Sequence, residues 1–210
     1  MWLEVLRRGH KSSGLSDMLK TIRIALWIAV AVSLVVVGVL FWRADRQEQA
    51  VAFRPEFSLP DEAGTIRTSE EFRGKHVLVF FGFTNCPDIC PTTMSEVAQV
   101  MDDLGPEAED VQPVFISVDP VRDRESGLDE YLAAFHPAIL GLAGDEAQTR
   151  AAVESFKVFA DPEKAASAPG GYTMSHSSSL YLIGPQGDWL RQFEYGTSAD
   201  DITADLKERL

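Results

Sequence analysis

His76-Val77-Leu78-Val79-Phe80-Phe81-Gly82-Phe83-Thr84-Asn85-Cys86-Pro87-Asp88-Ile89-Cys90-Pro91 decides the fold. From His76 to Phe83 the residues do not alternate between apolar and polar. Such a continuous apolar run belongs to a central strand covered on both faces. The chain's 2 cysteines flank Pro87-Asp88-Ile89 immediately after it, and Pro91 suits the first turn of a following helix. The stretch therefore reads as buried strand, loop with chemistry, then helix.

Working outward, Val114 to Val118, Ile139 to Leu142 and Leu180 to Ile183 read as further buried strands. Between them apolar residues recur at helical spacing: Met94, Val97, Ala98, Met101 and Leu104; Leu128, Tyr131, Leu132 and Phe135; Ala152, Phe156 and Phe159. Gly184-Pro185-Gln186-Gly187 turns the chain into a terminal hairpin strand, Trp189 to Tyr195. Ser198 can cap a last helix carrying Ile202, Leu206 and Leu210. Ala160 to Gly171, rich in small residues and turn formers, is expected to be a surface loop. A parallel βαβ half followed by a hairpin and a closing helix predicts a three-layer α/β/α sandwich of thioredoxin type over residues 53–210.

Ahead of that domain, Ile24 to Trp42 is 19 residues without a charge or proline, about 28 Å of helix, long enough to cross a bilayer. Arg7, Arg8, Lys11, Lys20 and Arg23 precede it, so residues 1–23 are expected in the cytoplasm and the domain outside, joined by a linker over 43–52. The competing reading is a cleaved signal peptide ending at Ala50-Val51-Ala52. Both export the domain. The whole chain, 210 residues, carries a net charge of −13, and beyond residue 42 there are 14 basic against 30 acidic residues. This balance argues against nucleic acid as a partner, and 45% apolar content excludes a disordered chain. An acidic surface repels anionic headgroups; it suits either a basic partner patch or simple solubility.

Two cysteines are too few for a disulfide framework, so their spacing is local chemistry. If residues 86–90 turn helically, the two Cα atoms lie about 6 Å apart, which allows a disulfide or a shared metal ion. A helix N-terminus favours the thiolate in either case. His176, just before the Leu180 strand, could reach the same end of the sheet. Two thiolates and an imidazole suit Cu(I), and an open zinc site equally. Met174 would share the face of His176 on an extended chain, and Asp119, at a strand's C-terminal end, could orient a ligand; both are auxiliary candidates. Met94 fits the core stripe, and His76 and His136 have no second ligand nearby in sequence. No nucleophile-elbow, phosphate-loop, dinucleotide or paired-histidine zinc motif is present.

Gly82 to Pro91, then Ile116-Ser117-Val118-Asp119-Pro120-Val121-Arg122-Asp123, then His176-Ser177 with Tyr181-Leu182-Ile183, closely resemble the Sco/SenC family. Its members are membrane-anchored copper chaperones of thioredoxin-like fold. The resemblance runs from about Phe53 to the C-terminus. It implies that Cys86, Cys90 and His176 bind copper and deliver it to the copper-accepting subunit of cytochrome c oxidase, at its binuclear copper centre; the donor set itself suits Cu(I), and a fourth weak or exogenous ligand would allow Cu(II). It also implies a thiol–disulfide reductase role toward that centre's cysteines, with another copper chaperone or a thioredoxin-like reductant as further partners; read from position, such an enzyme would attack with Cys86, nearer the strand end, and resolve with Cys90. Three residues between the cysteines, and no proline between Gly170 and Gly184, stand against a thioredoxin-type enzyme. A third reading is an interaction module with a structural Cys86–Cys90 disulfide. Asn85 stands where the family commonly has histidine, and Ser175 where aspartate often precedes the ligand histidine; both bear on affinity. The short basic N-terminus favours a bacterial inner membrane with the domain in the periplasm, over the mitochondrial inner membrane facing the intermembrane space.

Overall fold

The computed structural model describes residues 13–48 and 53–210, and the chain divides into two units. In the first, helix α1 covers Ser13–Glu48. Its stretch Met18–Gly38 is long and apolar enough to cross a membrane, and Trp27, Leu34 and Val35 are all exposed. A helix stretch that presents apolar side chains outward along its length suits lipid. Helical structure continues into the segment expected as linker, through residue 48. The Ala50-Val51-Ala52 sequence and the basic residues Arg7, Arg8 and Lys11 lie outside the described residues.

The second unit is built on strand β3, His76–Gly82, buried at every position. It follows a small hairpin, β1 (Ser58–Pro60) with β2 (Ile66–Thr68), that the sequence pattern did not foreshadow. β3 runs parallel to β4 (Val111–Ser117), which runs parallel to β5 (Leu140–Leu142); on its other side lie the antiparallel strands β8 (Leu180–Ile183) and β9 (Trp189–Phe193). The order β5-β4-β3-β8-β9 is the expected mixed sheet. Phe80 and Phe81 of β3 are fully buried, as its continuous apolar run requires.

Helix α2, Ile89–Leu104, turns Met94, Val97, Met101 and Leu104 into the core, so Met94 packs as expected. The final helix α6, Ala199–Lys207, is capped by Ser198 and packs along α2, with Ala199 N–H donating to Glu96 at 2.7 Å. After β4 come two short helices, α3 (Pro120–Ser126) and α4 (Leu128–Ala133), hinged at Gly127 with φ 75°. Helix α5, Glu146–Ser155, begins with a capping box of Asp145 and Gln148.

Two expectations fail between α5 and β8. Phe159 does not continue the helical stripe: the helix closes at Phe156, Lys157 adopts a left-handed φ of 55°, and Phe159 is exposed. Nor are residues 160–171 wholly a loop. Strand β6 (Ala160–Lys164) pairs antiparallel with β7 (Tyr172–His176) in a hairpin of its own. Most of β6 is exposed and four of its five residues are charged or proline, so no apolar alternation announced it.

Candidate metal centre

β3 ends at Gly82, whose carbonyl accepts from Val118 N–H at 2.9 Å. The chain then leaves the sheet through a turn in which Cys86 N–H donates to the Phe83 carbonyl. α2 starts three residues after Cys86, and the backbone N–H of Cys90 donates to Cys86 Sγ at 3.3 Å. Cys86 is half-buried and Cys90 fully buried. His176, the last residue of β7, faces them, with Nε2 3.7 Å from Cys90 Sγ. The two sulfurs and one imidazole nitrogen all lie within 4.8 Å of one another. The cysteines are not bonded to each other.

The imidazole is held by three neighbours. Phe80 and Phe83 present their rings edge-on to it, at centroid distances of 6.0 and 5.7 Å. His176 Nδ1 lies 2.9 Å from the Ser177 carbonyl. A carbonyl only accepts, so Nδ1 carries the proton and Nε2 keeps its lone pair toward the sulfurs. This backbone carbonyl takes the orienting part that a carboxylate at position 175 could have played. Ser175 itself stands opposite Asp161 in the hairpin, and Asn85 is exposed.

The two thiols differ sharply. Hydrogen bonding from the Cys90 thiol, with further help from His176 and backbone N–H groups and against the effect of burial, holds the Cys86 thiol down to about 4. The adjacent Cys86 sulfur and burial push the Cys90 thiol up. At neutral pH the free site therefore holds one thiolate and one buried thiol. Two sulfurs and an imidazole form a soft donor set, one that can take a copper ion or act as a redox dithiol.

Gly82 is needed for this arrangement: a Cβ there would stand 2.9 Å from Cys90 Sγ and 2.8 Å from the Phe80 ring. Glycine inside an apolar strand run is the sequence signal for such a close approach. Asp119 is buried, but its carboxylate pairs with Arg122 and accepts from the Tyr172 hydroxyl. Met174 lines a cleft of about 740 Å³ beside the hairpin, together with Asp119 and Tyr172. His76 is buried at the far end of β3, and His136 approaches Asp102 at 3.8 Å.

Fold and site together define a thioredoxin-like domain with a dithiol–imidazole group where its central strand meets a helix. The SCO1/SenC family model matches residues 45–210, and the chain belongs to that family. An SCO2-like protein of Rickettsia felis is 39% identical over 160 residues, covering 76% of this chain and 78% of the relative. Among solved structures, Bradyrhizobium japonicum ScoI with copper bound superposes with a TM-score of 0.69 at 36% identity, covering 76% of this chain and all of that one. BsSco, described as a member of the Sco family of cytochrome c oxidase assembly proteins with a disulfide switch, gives 0.58 at 28% identity, covering 75% of this chain and 94% of that one.

Proposed function

We propose that the chain is a copper metallochaperone: one copper ion is held by Cys86, Cys90 and His176 and passed by ligand exchange to the binuclear copper centre of cytochrome c oxidase. The observation that carries this is the convergence of two sulfurs and an oriented Nε2 within 4.8 Å. Three soft ligands leave an exposed side at Cys86 from which an acceptor's ligands can enter. Membership of the family supports the recipient. With α1 as anchor over residues 24–42, residues 1–23 in the cytoplasm and 43–52 as connection, the domain works on the periplasmic face of a bacterial inner membrane; the mitochondrial intermembrane space is the equivalent place in a eukaryote.

The test is an anaerobic Cu(I) titration of the reduced full-length chain in detergent against a competing chelator, with Zn(II) in parallel. We expect one copper per chain, abolished in Cys86→Ala and Cys90→Ala, weakened in His176→Ala and unmatched by zinc. Failure to compete for copper with an intact dithiol would overturn the reading.

The low thiol at Cys86 beside a resistant Cys90 favours a second activity, disulfide reduction. The Cys86 thiolate attacks a partner disulfide and releases one partner thiolate. Cys90 then gives up its proton, attacks the mixed disulfide and frees the second partner thiolate. Two electrons pass to the partner, both of its sulfurs take up protons, and Cys86–Cys90 remains as the disulfide. Renewal requires an external dithiol. An insulin-type disulfide reduction assay separates this activity from copper carriage.

A further inference from the structure

Arg122 and Asp123 are neighbours in sequence at the start of α3, yet they reach in opposite directions. Asp123 is fully buried. Its Oδ1 accepts from Thr84 N–H at 3.0 Å and from Thr84 Oγ1 at 2.8 Å, and its Oδ2 accepts from Ser117 Oγ at 2.6 Å. Thr84 lies two residues before Cys86, so this carboxylate ties the cysteine loop to the end of β4. Arg122 lies flat on the Tyr172 ring, 3.8 Å from its centroid, and Nη1 donates to the Pro169 and Tyr172 carbonyls at 2.8 and 3.2 Å. Its Nε pairs with Asp119, which also accepts from the Tyr172 hydroxyl at 3.1 Å. Tyr172 opens the strand that His176 closes.

We infer that Arg122 and Asp123 are positioning residues that set the spacing of the site from one rigid turn, Asp123 holding the cysteine loop and Arg122, through Tyr172, the histidine hairpin. A plain Asp-Pro helix start does not explain the arrangement. The Asp119 side chain makes no capping bond to α3, and its two oxygens go to Arg122 and Tyr172. The hairpin pairs with none of the five strands of the main sheet; Ala160 and Met174 pack it on the core, and the Arg122 and Tyr172 bonds add direction to that packing. Buried charge-assisted bonds and a stacked guanidinium suit the task, being directional and short.

The inference rests on the copper reading, and double-mutant cycles in the full-length chain test it. Arg122→Ala should weaken Cu(I) binding about 10- to 100-fold, as losing a group that orients a ligand does. Because it acts through His176, Arg122→Ala added to His176→Ala should cost nothing more. Asp123→Ala should weaken copper binding in the wild-type and His176→Ala backgrounds alike. Asp123→Asn, which keeps the Thr84 bonds and can donate to Ser117, should restore most of it and serves if the alanine variant does not fold. Arg122 and His176 effects that multiply, or Asp123→Asn as weak as a folded Asp123→Ala, would overturn the inference. A readout without copper separates it from failure of the chaperone reading. In the metal-free chain, amide exchange at Ser177, whose N–H donates to the Phe159 carbonyl at 3.0 Å, should quicken in Arg122→Ala and stay unchanged in Asp123→Asn. Unchanged exchange in Arg122→Ala would overturn it whether or not copper binds.

Discussion

The two halves of the site are held by different forces. The cysteine loop leaves a strand buried at every residue and enters a helix whose apolar stripe fills the core, so core packing fixes Cys90 and the buried Asp123 bonds to Thr84 fasten the loop before it. The histidine hairpin is a two-stranded sheet whose residues are exposed or half-buried, held by partial packing of Ala160 and Met174 on the core and by polar contacts to Asp119 and Arg122. An isolated hairpin of that size is marginal in water. The contrast implies that the buried Cys90 sulfur is the most firmly placed ligand and that the imidazole, on the half-buried hairpin, yields more readily.

The largest effect expected is on Cys86 reactivity. A thiol lowered to about 4 is ionised above that pH, so its alkylation rate, followed by mass spectrometry, should be flat from pH 6.5 to 8.5 and decline only below about 4. An ordinary thiol of pKa about 8.5 would instead gain well over tenfold across the same interval. Because the Cys90 hydrogen bond contributes more than that of His176, Cys90→Ala should bring back a rising profile much more than His176→Ala. Equal effects would break the comparison between the halves.

Phe80→Ala empties a fully buried position that also walls the imidazole. It should cost about 3–5 kcal/mol in urea unfolding. Gly82→Ala forces a methyl against Cys90 Sγ and two rings, and should cost about 1–3 kcal/mol while weakening copper binding. Phe159→Ser, on the hairpin side and exposed, should change stability by less than about 0.5 kcal/mol. A loss of core size there would show that the hairpin is packed as firmly as the loop.

Much of this was legible beforehand, for identifiable reasons. The run from Val77 to Phe81 could only be a doubly covered strand, and a cysteine pair directly after it had to lie where strand gives way to helix. The same logic found β4, β5, β8, β9 and the stripe on α2. It missed β6, because Asp161, Pro162, Glu163 and Lys164 form a strand with almost no buried face. It carried the α5 stripe on to Phe159, because a left-handed lysine gives no compositional warning. Arg122 and Asp123 were visible as part of a family-like segment, but their bonds reach across 50 and 39 residues of chain respectively.

The sequence by itself determined the order of elements, the burial of the central sheet and the donor types of the site, since apolar periodicity and local turn chemistry act over a few residues. Tertiary structure alone decided which imidazole nitrogen faces the sulfurs, how far the Cys86 and Cys90 thiols part in acidity, and what holds the hairpin against α3. Those outcomes depend on distances of a few ångströms between segments far apart in the chain, and hydrogen bonding and desolvation change steeply over such distances.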